Sequence, residues 1–311
     1  MIIDGSEGDL KRFLDDLPPV DQVGADARAA MLATRSIKTT SKAWAIDMAI
    51  SMVDLTTLEG ADTPGKVKAL CAKGVYPDPT DLSVPSVGAI CVYNDMVKIA
   101  RQALDAGGGR NIPVAAVSTA FPSGRASMEV KIQDTKDAIT NGASEIDMVI
   151  DRGAFLSGKL GFVFDQIKTI KEVCGSQAHL KVILETGELV TLDNVRKASY
   201  LAMLAGADFI KTSTGKVAPA ATAPVVYVML EAVRDYYKMT GTRIGVKPAG
   251  GIRNTKDAIK QLVLVNEIAG PEWLDPSLFR IGASALLNDL LMQRMKMRDG
   301  YYASPNYVTL D

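Results

Sequence analysis

The sequence predicts a single (β/α)8 barrel with an N-terminal helical cap and a mobile C-terminal tail. Three observations carry this. From about residue 45, short apolar runs alternate with longer segments of helical spacing, and the alternation repeats eight times. Eight such units in roughly 250 residues fit a closed barrel. The G-x-G-x-x-G turn that an open dinucleotide-binding sheet carries after its first strand is absent.

In chain order, residues 1–44 form the cap, with a helical pattern over 25–36. The barrel spans about 45–296 as one domain. Its eight runs are 49–55, 87–93, 114–118, 145–150, 180–184, 208–211, 244–247 and 279–282. They are short and rich in Val and Ile, as expected of parallel strands buried on both faces. Between them, 160–174 and 222–237 place apolar residues at helical spacing, and Ala258, Leu262 and Val265 do so again within 255–265. Start signals precede several helices: Asn94-Asp95 before 96–106, Thr191 before 194–204 and Asn254 before 255–265. Gly107–Gly109 reads as a helix stop. The tail, 297–311, is polar and holds Tyr301, Tyr302 and Tyr307.

Composition narrows the function classes. The 35 Lys and Arg nearly balance the 36 Asp and Glu, for a net charge of −1 in 311 residues. A dedicated nucleic-acid binder carries a basic surplus. The three cysteines, Cys71, Cys91 and Cys174, are far apart and fit a reducing compartment. No secretory leader or membrane span is legible, so a cytoplasmic location without a membrane partner is expected. The one histidine, His179, heads the fifth run, at the end opposite an active mouth. Proton chemistry then falls to another residue type. Zinc chemistry needing two histidines is excluded.

Active sites of such barrels lie at the C-terminal ends of the strands. There the runs carry Asp54, Cys91, Asp147, Lys181 followed by Glu185, Lys211 and Lys247. Lys211 and Lys247 close neighbouring strands. Their mutual repulsion and partial burial both favour neutral amines, as Schiff-base chemistry requires. Asp147 serves either as their acid/base partner or as their neutraliser. Lys181 pairs with Asp147 across adjacent strands. Asp54 binds a substrate hydroxyl or caps a loop, and Cys91 packs. Glycine-rich turns follow the sixth, seventh and eighth runs: TSTGK (212–216), PAGGIR (248–253) and GAS (282–284). They form a candidate phosphate cradle, with Lys216 and Arg253 adding charge.

VDLTTL (53–58), GAICVY (88–93), EIDMVI (145–150), LKVILETGEL (180–189), AGADFIKTSTGK (205–216), GVKPAGGIR (245–253) and FRIGAS (279–284) follow one another in order. On these stretches the chain resembles the deoxyribose-phosphate aldolases, lysine-dependent, metal-free class I aldolases with a TIM-barrel fold. The resemblance implies Lys211 as the Schiff-base lysine and Lys247 with Asp147 as the proton relay. It implies substrate contacts or pocket roles for Asp54, Cys91 and Lys181. The phosphate region would comprise Thr214, Gly215, Lys216, Gly250, Gly251, Arg253 and Ser284. One tail tyrosine would assist proton transfer. No cofactor is implied. The partners expected are a phosphorylated sugar, acetaldehyde and a second copy of the chain, as dimer or tetramer. A transaldolase, a sugar-phosphate isomerase and a non-catalytic phosphosugar binder are the rival readings.

Overall fold

Parallel neighbours need a long crossover, and a helix after each strand supplies it. The computed structural model describes residues 7–304 and 308. Three helices come first: α1 (Glu7–Asp15), α2 (Gln22–Ala33) and α3 (Thr39–Ser51). Then follow β1 (Val53–Thr56), α4 (Pro64–Val75), β2 (Ala89–Tyr93), α5 (Val97–Ala106), β3 (Val114–Ser118), α6 (Met128–Thr140) and β4 (Glu145–Val149). The second half holds α7 (Arg152–Leu156), α8 (Leu160–Cys174), β5 (His179–Ile183), α9 (Leu192–Leu204), β6 (Phe209–Lys211), α10 (Ala223–Thr240), β7 (Gly245–Lys247), α11 (Thr255–Ile268), β8 (Ile281–Ala283) and α12 (Leu286–Asp299).

All paired strands are parallel, in the order β7-β6-β5-β4-β3-β2-β1-β8. Bridges Val246–Phe279 and Ala249–Gly282 join the two ends and close the barrel. The first expected strand is corrected. Residues 49–51 end α3, and β1 begins only at Val53. A short apolar run does not distinguish a buried helix end from a strand. Likewise α12 continues to Asp299, into the segment read as tail. Thr191 and Asn254 cap α9 and α11, accepting backbone N–H bonds from Asn194 and Asp257. Asn94 does not cap α5; its amide donates to Asp134 instead.

The core between sheet and helices is aliphatic, as in Ile90, Ile146, Val182, Ile210 and Val246. The barrel interior differs. Side chains alternate across a strand, and the alternation turns Glu145 and Asp147 of β4 to one side. Lys181 of β5 stands in register with Asp147, and Lys211 of β6 with Lys247 of β7. Phe209 fills the interior one turn of the pleat below Lys211. A Cβ on Gly245 would lie 2.2 Å from its ring, so only glycine fits there.

Candidate active site

Seven charged side chains meet inside the barrel, each nearly or fully buried: Asp54, Glu145, Asp147, Lys181, Lys211, Lys247 and Arg280. They form one ion network. Asp147 Oδ2 lies 2.8 Å from Lys211 Nζ and 2.7 Å from Lys247 Nζ, and Oδ1 lies 3.4 Å from Lys181 Nζ. Lys247 also meets Asp54 at 2.5 Å. Below them, Lys181 bonds Glu145. Arg280 ties Asp54 at 2.7 Å to Glu145 at 3.1 Å.

The two lysines expected to become neutral together are divided by this geometry. Burial pulls Lys211 below the usual lysine range; Asp147 opposes this and Lys247 reinforces it. Burial also opposes charge on Lys247, but Asp147 and Asp54 outweigh it and hold Lys247 well above that range. Two carboxylates touch Lys247, whereas Lys211 has one. Charge counting agrees. Three carboxylates face Lys181, Lys247 and Arg280, so a fourth cation at Lys211 would be in excess. Burial raises Asp147 and Asp54, yet their lysine neighbours bring both below the ordinary carboxylate range.

Lys211 opens into a cavity of about 660 Å³ at the C-terminal ends of the strands. Thr214, Gly215, Lys216, Gly250, Gly251, Arg253 and Ser284 all line it, as the glycine-rich turns implied. Thr56, Glu59, Lys66 and Asn288 are also in its wall. At Gly250, φ is +80° and a Cβ would lie 2.7 Å from the Ala220 side chain, so a larger residue would be strained and crowded. Lys216 Nζ pairs with Glu59 at 2.8 Å across the mouth. Asp54, Lys181, Asp147 and Lys247 sit beneath the cavity floor rather than in its wall. Cys91 is buried beside Leu58, Ala115 and Val117, and burial pushes its thiol up.

His179 is exposed at the start of β5, in register with Glu145 and at the strand end opposite the cavity. Tyr301 and Tyr302 are exposed outside the cavity wall, and Tyr302 stacks under Lys296 at 3.7 Å. Tyr307 lies outside the described residues. Glu145 and Arg280 went unnoticed in the sequence because they stand at the N-terminal ends of their strands. Glu145 was findable: it precedes Asp147 by two positions, which places both on one face. Among the described residues, no three His, Cys, Asp or Glu side chains are grouped to hold a metal ion. No helix among them is long and apolar enough to cross a membrane.

Comparison with known proteins agrees with this geometry. The sequence model for the DeoC/LacD family of aldolases matches residues 48–291. A Homo sapiens protein named deoxyribose-phosphate aldolase is 46% identical over 280 residues, covering 88% of this chain and 87% of the relative. A Bos taurus protein of the same name is 46% identical over 270 residues, or 84% of each chain. The tetrameric deoxyribose phosphate aldolase structure from Aeropyrum pernix superposes with a TM-score of 0.61 at 22% identity. It covers 85% of this chain and 100% of that one, and shares the fold.

Proposed function

The chain belongs to the DeoC/LacD aldolase family, and from that premise we propose a retro-aldolase carried by Lys211, Lys247 and Asp147. It cleaves 2-deoxy-D-ribose 5-phosphate reversibly to D-glyceraldehyde 3-phosphate and acetaldehyde. The observation that carries the assignment is the buried Lys211 amine, pulled down by burial and open to the cavity.

The chemistry follows from the charges. Neutral Lys211 Nζ adds to the C1 aldehyde carbon, and loss of water gives an iminium. A base removes the C3 hydroxyl proton. The C2–C3 bond breaks, and its electron pair moves into the iminium to leave an enamine. Glyceraldehyde 3-phosphate departs. The enamine carbon takes a proton, and water releases acetaldehyde from Lys211. In this reading Asp147, reached through water, receives the hydroxyl proton. Cationic Lys247 shares its proton with Asp147 Oδ2 at 2.7 Å and returns one to the enamine. The cradle of Thr214, Gly215, Lys216, Gly250, Gly251, Arg253 and Ser284 takes the phosphate and orients the sugar. Asp54 and Lys181 hold the relay in place.

Borohydride reduction with acetaldehyde, followed by peptide mass mapping, tests this. The expected result is one stable adduct, on Lys211. No adduct, or one confined to another lysine, overturns the assignment. A Lys247→Leu variant with unchanged turnover and pH profile would remove Lys247 from the relay. A cytoplasmic homo-oligomer completes the proposal, and light scattering on the purified chain counts its subunits.

A further inference from the structure

Glu185 is a buried carboxylate that the reaction above does not use. It follows β5 with φ 53° and ψ 59°, a left-handed conformation that glutamate seldom adopts. Such strain persists where surrounding contacts over-determine it. Here they do. Both carboxylate oxygens accept the Thr214 backbone N–H at 3.3 Å, and Oε2 accepts the Thr214 hydroxyl at 2.5 Å. Because that hydroxyl spends its proton on Glu185, its lone pairs face the loop, and one accepts the Lys216 N–H at 3.1 Å. Arg152 stands 3.9 Å from Oε2 and holds the carboxylate from behind.

The far side of the same loop is tied to the next turn. Thr212 Oγ accepts the Ala249 N–H at 2.9 Å, and Ser213 Oγ donates to the Ala249 carbonyl at 2.6 Å. The loop 212–216 is thus held from both sides. Glu185 itself is wholly buried and lines no part of the cavity, whereas Thr214, Gly215 and Lys216 do. A carboxylate so near an anion cradle weakens it electrostatically. Its presence calls for a compensating task.

We propose that Glu185 is a positioning residue that sets selectivity for phosphorylated substrates by fixing the donors of Thr214, Gly215 and Lys216. This rests on the aldolase reading and deepens it. Glutamine in its place carries no charge, so its bonds to Thr214 are no longer charge-assisted, and its NH2 group cannot accept the Thr214 N–H that the second carboxylate oxygen now shares. The loop then loses a charge-assisted bond of a class whose loss costs about 10- to 100-fold in binding.

Glu185→Gln should therefore raise KM for 2-deoxy-D-ribose 5-phosphate by about 10- to 100-fold, with kcat changed far less. The fall in kcat/KM should be at least about tenfold smaller for unphosphorylated 2-deoxy-D-ribose. Thr214→Val should reproduce the selectivity loss, and the double variant should add little to either single one. Equal losses on both substrates overturn the proposal, as does full additivity. Should Glu185→Gln fail to fold, Thr214→Val decides alone: a phosphorylated-to-unphosphorylated ratio matching the wild type overturns it. Acetaldehyde trapping on the parent chain keeps the two readings apart: a missing adduct there overturns the aldolase reading and this role with it, whereas an adduct together with unchanged phosphate selectivity in Glu185→Gln overturns the role of Glu185 alone.

Discussion

Asp147→Asn separates the two tasks assigned to this carboxylate. The side chain keeps its shape and loses its charge. Its Oδ2 lies 2.8 Å from Lys211 Nζ and 2.7 Å from Lys247 Nζ. At an effective dielectric constant of about 20, unit charges at such distances attract by roughly 6 kcal/mol. On Lys211 that attraction opposes burial, the larger influence. Without it, burial and the Lys247 charge act unopposed, and the pH at which Lys211 becomes neutral falls. Iminium formation then extends to lower pH. Turnover moves the other way, because loss of a general acid–base group costs on the order of 10²- to 10⁴-fold. The assay is borohydride trapping with acetaldehyde across a pH series, beside kcat for release of glyceraldehyde 3-phosphate. Turnover within a few-fold of the parent, or a trapping profile moved to higher pH, would refute the reasoning.

Arg280→Leu strips Asp54 and Glu145 of one of their two shared partners, leaving Lys181 as the other. The loss should cost about 3–5 kcal/mol in urea unfolding, since it leaves buried charge uncompensated; a loss under about 1 kcal/mol contradicts the network. Glu59→Gln frees Lys216 from its exposed ion pair. It should lower KM for the phosphorylated sugar by up to about fivefold, the scale of such pairs, and a raised KM would count against competition for Lys216. Asp54 and Asp147 are held below their unfolded value of 3.8. Their stabilisation is therefore full above that value and lost as pH falls through the lower folded values. The urea midpoint should hold through mildly acidic pH and drop only below it; a drop centred near neutrality would exclude these carboxylates as the cause. The thiols of Cys71 and Cys174 are pushed up to about 12 by burial, and that of Cys91 is also raised. All three should react with iodoacetamide far more slowly in native than in unfolded protein, as mass spectrometry would read; rapid native labelling at Cys91 would contradict its burial.

The barrel was legible because its alternation repeats eight times, so an error at one element does not change the class. The first strand blurred because the apolar stretch from Ala49 to Leu55 crosses a helix end and a strand start without a break in hydrophobicity. Strand ends exposed most of the site: a lysine closing FIK or GVK is costly there unless it is used or paired. What sequence did not contain was the third dimension of the charges. Adjacency of Lys211 and Lys247 followed from strand order, but Asp54 stands on β1, beyond β8 from β7, and of these two amines it pairs with Lys247 alone. That contact helps to divide two equivalent-looking amines, holding Lys247 above the usual lysine range while burial pulls Lys211 below it, as the proposed chemistry requires. The second-strand loop shows the same limit. Asn94 resembles a cap by local rule, yet Asp134, forty positions on, takes its amide.

The buried charges are also sorted along the chain. Asp54, Glu145 and Asp147 stand on β1 and β4; Lys181, Lys211, Lys247 and Arg280 stand on β5, β6 and β7 and beside β8. A cut between α8 and β5 would yield an acidic half-barrel and a basic one. Neither half can bury its interior alone, because its charges have no partners of opposite sign. Two copies of the same half repel through their open faces, while unlike halves attract. The residues assigned to catalysis therefore also act as a pairing code, which admits the complementary half and rejects a duplicate.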